Sequence, residues 1–212
     1  MDFLNSIILL TNFIIVPGIT YGSQLALGAI GVTLIYGVLR FANFAYGDLM
    51  AFGTMIVILV TWFLQSKGIT FGLLPTALLA LPVGILLTIA VSLFFDKTVF
   101  EYYRNKKSDP VTFIVVSLGI MFVLNAVVRI IIGPNDINFM DGHKFIMKAR
   151  EFKQMTGLNE GLALKSTQVI TLITTIITCS ILFYFLNKTK TGKSMRAYSN
   201  NEDLALLSGI DP

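Results

Sequence analysis

The sequence predicts an all-α fold, a polytopic transmembrane helical bundle, and three observations predict it. About five apolar stretches each approach the roughly 20 residues that a helix needs to cross the hydrocarbon of a bilayer. Charged residues make up 13% of the 212-residue chain, against about a quarter in soluble domains, and the mean hydropathy is +0.77. The basic side chains gather between the apolar stretches, so the net charge of +4 reports membrane topology and implies no nucleic-acid partner.

In chain order, residues 3–16 are apolar but short for a crossing, and Pro17-Gly18 punctuates their end. A re-entrant helix, an interfacial helix and a tilted crossing all fit this segment. Asp2 and the lack of an early basic region argue against a cleaved signal peptide. Residues 19–39 carry no charge and form the first full span. Small residues recur every fourth position there, in the series Gly18, Gly22, Ala26 and Ala29, Thr33, Gly37, which predicts close packing inside a bundle.

A second span covers residues 44–64, with Trp62 as an interfacial anchor, and a third covers 73–95, where Pro75 and Pro82 mark kinks. The connection 96–109 holds Lys97, Arg104, Lys106 and Lys107, which places it in the cytoplasm. Pro110 then opens a fourth span, 111–132, in which Asn125 and Arg129 share one helix face. Arg129, a turn from the end, is expected to snorkel to the interface, and Asn125 to face a pathway or a packed helix.

Alternation puts the hydrophilic segment 134–166 outside, either as a solvated loop or as a surface on which a binding protein docks. The fifth span, 167–186, is rich in threonine and leads to Lys188, Lys190, Lys193 and Arg196 on the cytoplasmic side. Cys179 is a lone, packed thiol and His143 the single histidine, so neither a disulfide nor a metal site is expected. No cofactor is implied, because the chain holds neither a phosphate-binding Gly-rich loop nor a catalytic set of nucleophile, base and orienter.

Two stretches depart from plain apolar sequence. In Phe41-Ala-Asn-Phe-Ala-Tyr-Gly-Asp48, the residues Asn43, Gly47 and Asp48 interrupt the run between two spans. Hydrocarbon tolerates no unsatisfied backbone, so this break is either an interfacial turn or the lining of a protein-walled cavity. Asn43 hydrogen-bonds a solute or braces the break, Gly47 admits close approach, and Asp48 serves as a helix N-cap or meets an ammonium group. In the tail, Ser199 and Glu202 have capping-box spacing and Gly209 suits a C-cap, predicting a helix of about two turns. A piece that short needs a partner surface.

Asn43-Phe44-Ala45-Tyr46-Gly47 resembles the Asn-Phe-Ala-His-Gly signature of permease subunits of branched-chain amino acid ABC transporters, the LivH/LivM type, with Tyr46 in place of the usual histidine. Ser117, Leu118, Gly119 and Gly133 resemble a later family helix, and Arg196, Ala197, Glu202, Asp203, Ala205, Gly209 and Ile210 resemble the family's coupling loop. The resemblance implies a permease domain at 1–186, a cytoplasmic coupling loop at 187–212 and further spans beyond Pro212. It also implies ABC ATPase subunits, a second homologous permease, a periplasmic substrate-binding protein and a place in the cell inner membrane. Asn43, Phe44, Ala45, Gly47, Asp48 and Asn125 are then the expected substrate pathway. The alternative is an ATP-independent channel or secondary transporter for a small polar solute, although no paired intramembrane carboxylates are visible for it.

Overall fold

In the computed structural model, residues 2–209 are described, apart from 73, 136–138, 140, 142–144 and 158–159. Leu73 at the start of the third span, Asp136, the Asp141-Gly142 turn at Gly142, His143 and Ile210 therefore lie outside the described residues. Among those described, five helices are long and apolar enough to cross a membrane: Phe3–Leu39, Ala45–Ser66, Ala77–Asn105, Pro110–Ile132 and Ser166–Lys188. The all-α expectation holds. The chain divides into two compact units, residues 39–143 and residues 1–38 with 144–212.

The first unit contains α3 (Ala45–Ser66), α4 (Ala77–Phe95), α5 (Glu101–Asn105) and α6 (Pro110–Ile132). The sequence places a loop from residue 96, but the helix runs on. A π-helical turn at Asp96–Phe100 joins α4 to α5, with the Glu101 N–H reaching back to Asp96 O. The reason is burial. Phe100 is 9% exposed and packs with Phe41 and Phe113, at ring-centroid distances of 5.9 and 6.5 Å, in a core that also holds Ala45, Ile120 and Leu124. Asp96 and Arg104 pair on the outer face at 2.8 Å. The chain turns at Lys107, whose φ of 52° is left-handed, before Pro110 starts α6.

Along α3 and α4 the helices meet at glycines. A Cβ on Gly53 would lie 2.7 Å from Thr88 Oγ1, and one on Gly84 would overlap the Val57 side chain. These residues let the two backbones approach, as small residues do between membrane helices. At the far end, Asp141 accepts hydrogen bonds from Gln65 Nε2 at 2.9 Å and from the Ala77 N–H at 2.6 Å. One carboxylate thus caps α4 and ties it to the last turn of α3. Pro82 lies within α4 without ending it.

In the second unit, residues 3–16 are no separate element. α1 (Asp2–Leu10), a π-helical turn (Thr11–Ile15) and α2 (Val16–Leu39) form one continuous helix. Pro17 has no N–H and its ring crowds the preceding turn. The helix accommodates it just after a widened turn in which the Val16 N–H bonds to Thr11 O, five residues back. Asn12, in that turn, donates to Gly161 O at 2.6 Å and accepts from the Ala163 N–H at 2.9 Å. Asn5 accepts from the Glu160 N–H at 3.3 Å. Residues up to 12 thus run beside the hydrophilic segment, and the rest of the helix, about 40 Å long, is sufficient for the crossing. Within its unit α2 buries no residue, and a Cβ at Gly18 or Gly22 would meet nothing within 4 Å. Only the end of the stripe is covered within the unit: a Cβ at Gly37 would lie 3.3 Å from Ser199 Oγ of the helix at Lys190–Asn200.

The hydrophilic segment, expected as a solvated loop or a docking surface, has structure of its own. β1 (Phe145–Met147) pairs antiparallel with β2 (Leu164–Lys165), and α7 (Ala149–Thr156) lies between them, ending at Gly157 with φ of 69°. Then come α8 (Ser166–Lys188), α9 (Lys190–Asn200) and α10 (Glu202–Leu207).

Candidate functional site

The break before α3 is a constructed feature of the first unit. The first four N–H groups of a helix have no partner within it, and three at this start find one nearby. The Phe44 N–H donates to Ser117 Oγ at 3.1 Å, the Ala45 N–H to Asn43 Oδ1 at 3.0 Å, and the Tyr46 N–H to Asn43 O at 3.4 Å. Ser117 is fully buried and donates its own proton to Ile114 O at 2.7 Å. Because residue 44 sits opposite residue 117, seven positions along α6, the irregular backbone lies about 10 Å inward from the start of that helix. It is non-helical chain set back from the start of that helix and braced by protein groups.

Asn43 therefore braces the break. Phe44 is half exposed, Ala45 is 1% exposed in the core, and Gly47 has open space beside it. Asp48 departs from its expected job. It lies in the first turn of α3 instead of capping it, where its charge complements the positive end of the helix. Its Oδ1 accepts from Asn125 Nδ2 at 2.9 Å.

Arg129, expected to reach the far interface, folds back along α6 instead. Its Nε donates to Asn125 Oδ1 at 2.9 Å. Helical side chains lean toward the N-terminus, which favours that direction. The three side chains form a chain from carboxylate to amide to guanidinium across α3 and α6, and Asn125 and Arg129 are exposed within the unit. Sequence reasoning placed Asp48 and Asn125 in the pathway but left Arg129 out. Its spacing of four from Asn125 was the available signal.

At the tail, the expected cap is displaced. Ser199 lies in the last turn of α9, while Asn201, with φ of −155°, caps α10 by accepting from the Leu204 N–H at 3.1 Å. Asparagine competes well for that role, and its position leaves a helix of six residues. Arg196 and Ala197 belong to α9 and are exposed. Glu202 and Asp203 lie on α10, and Gly209 follows with φ of 77°. Ala205, expected on a docking surface, is only 3% exposed and seats α10 on its own unit. Leu204, Leu206 and Leu207 are left outside at 62%, 46% and 85% exposure. The corner between α8 and α9 is tight, since a Cβ at Gly192 would overlap Phe185 O, and Thr189 Oγ1 accepts from the Gly192 N–H at 3.0 Å.

A bundle of apolar helices long enough to cross a membrane, with a braced helix break and a polar chain beside it, defines a polytopic membrane protein of the helical class. Residues 14–212 match the family described as branched-chain amino acid transport system, permease component, and the chain belongs to that family. It is 25% identical over 198 residues to the high-affinity branched-chain amino acid transport system permease protein LivH of Escherichia coli K12, covering 92% of this chain and 60% of that protein. It is 23% identical over 206 residues to the corresponding permease protein BraD of Pseudomonas aeruginosa, covering 93% of this chain and 62% of that one. The chain thus spans about three-fifths of the length of these relatives. No solved structure matches it.

Proposed function

We propose that this chain is a membrane-spanning permease subunit of an ABC importer, translocating branched-chain amino acids or related small amides across the cell inner membrane. The family match over residues 14–212 carries the reading, and the arrangement of the break and the tail supports it. In this reading ATP is hydrolysed by separate subunits, a second homologous permease completes the pathway, and a periplasmic binding protein delivers the solute. The permease domain covers residues 1–186 and the coupling loop 187–212. The loop passes motion from ATPase to membrane helices through α10, which is capped by Asn201, seated through Ala205 and apolar on its open side through Leu204, Leu206 and Leu207. An exposed run of leucines beside the basic α9 suits a groove on a partner better than water.

The test is ATP-driven uptake in proteoliposomes holding the complete transporter. Leu207→Glu puts a charge on the open face of α10 and is expected to abolish uptake while the ATPase subunits still hydrolyse ATP. Asn201→Ala, which removes the cap at a cost of about 1 kcal/mol, is expected to reduce uptake in part. Normal ATP-driven uptake by both variants excludes the coupling role. Uptake that proceeds equally without ATP favours the channel or secondary-transporter reading.

A further inference from the structure

The chain Asp48–Asn125–Arg129 has an order that matters. The Asn125 NH2 donates to the carboxylate of Asp48, and its C=O accepts from the guanidinium of Arg129, both at 2.9 Å. A zwitterionic amino-acid head group offers the same two functions in the same order, an ammonium that donates and a carboxylate that accepts. We propose that Asp48 and Arg129 are the two poles of a binding site for that head group and that the Asn125 amide is its neutral stand-in when no solute is present.

Three observations carry this. First, neither charge has a charged partner among the described residues. Among the described residues, no acid lies within ion-pair distance of Arg129 and no base within that distance of Asp48, whereas Asp96 and Arg104 do pair. Two opposite charges in membrane-spanning helices, bridged by a neutral amide, are each only partly compensated. A zwitterion supplies the missing opposite charge to both at once. Second, the spacing fits. The single amide holds the bonded carboxylate oxygen and guanidinium nitrogen at most about 8 Å apart, close to the span of a head group with one hydrogen bond at each end. Third, there is access. Arg129 and Asn125 are exposed within the unit, Asp48 is half-buried, and Gly47 beside Asp48 has nothing within 4 Å of where a Cβ would stand.

The side chains share the work unequally. Asp48 sits in the first turn of α3, and its Oδ1, which accepts from the Asn125 amide, is the atom placed to accept from an ammonium. Arg129 has its terminal nitrogens free of any described partner while Nε holds Asn125, so it can engage a carboxylate before the amide is released. Asn125 then turns from bridge to flank. An uncharged amide solute meets neither pole with full complementarity, so the site selects zwitterions over the small amides that the broader reading admits.

The inference rests on the importer reading, and the experiment separates the two. The complete transporter is placed in nanodiscs without binding protein, and bound radiolabelled L-leucine is competed with unlabelled L-leucine, L-leucinamide and 4-methylpentanoate. The amide lacks the carboxylate and the acid lacks the ammonium. In the unaltered protein each analogue is expected to compete roughly tenfold or more weakly than leucine, the effect of one charge-assisted hydrogen bond. Arg129→Gln is expected to erase the preference for leucine over leucinamide, and Asp48→Asn the preference over 4-methylpentanoate. A merely structural clasp between α3 and α6 predicts losses that do not depend on the competitor. Equal competition by both analogues in the unaltered protein, or unchanged preferences in both variants, overturns the proposal. ATP-driven leucine uptake by the same complex with binding protein reports on the importer reading separately.

Discussion

Removing the Ser117 hydroxyl tests whether the break before α3 is held as described. Ser117→Ala deletes one oxygen from a fully buried site. Ile114 O loses little, because a helical carbonyl retains its backbone bond, but the Phe44 N–H loses its partner at 3.1 Å. That donor is part-buried, beside Phe41 and Ala45, 7% and 1% exposed, and loses its side-chain acceptor. Leaving a buried donor unsatisfied costs about 1–3 kcal/mol. The cavity left by one hydroxyl is small and adds little. For a chain of this size each kcal/mol lowers Tm by roughly 2–4 °C, so a fall of several degrees is expected. Ser117→Cys, nearly the same shape with a weak acceptor, is expected to fall between the two. The assay is thermal unfolding of the purified complete permease, with hydrogen exchange at the Phe44 amide as the local readout. An alanine variant within about 0.5 kcal/mol of the parent, with Phe44 still protected, refutes the bracing role.

Two further perturbations address the same unit. Asp141→Ala removes both the α4 cap and the Gln65 tie, and a loss of about 1–3 kcal/mol is expected, with faster hydrogen exchange at Ala77. Asp141→Asn, which keeps an acceptor, is expected to lose less. Gly84→Ala drives a methyl into Val57 and is expected to cost about 1–3 kcal/mol; adding Val57→Ala makes room and is expected to restore part of it, a coupling that a double-mutant cycle measures.

Much of the architecture was legible because a bilayer sets the length of what crosses it. Residues 44–64, 111–132 and 167–186 differ by only a residue or two at most boundaries from Ala45–Ser66, Pro110–Ile132 and Ser166–Lys188. Charge and proline were less informative. The basic connection after residue 95 reads as loop, yet Phe100 draws it into helix by packing on Phe41 and Phe113. Pro17 reads as a terminus, yet a π-helical turn carries the helix through it. In both places the local signal lost to contacts or to a backbone adjustment that no short window contains.

The candidate site shows the same division more sharply. Sequence reasoning pairs a polar group with its neighbours in the chain, so Asp48 was given the nearest helix end, Ser199 the nearest glutamate and Arg129 the nearest interface. Space assigns them otherwise. The Phe44 N–H finds Ser117 across 73 positions, Asp48 finds Asn125 across 77, and Asn12 finds Ala163 across 151. In an apolar fold these long-range polar pairs are few and each is costly to leave unmade, so they decide which of several adequate apolar packings is adopted. The residues that choose the packing of α3 against α6 are therefore the ones that line the proposed path. On the proposal above, a solute that displaces Asn125 from Asp48 removes one polar tie between α3 and α6 and leaves the Phe44–Ser117 bond in place.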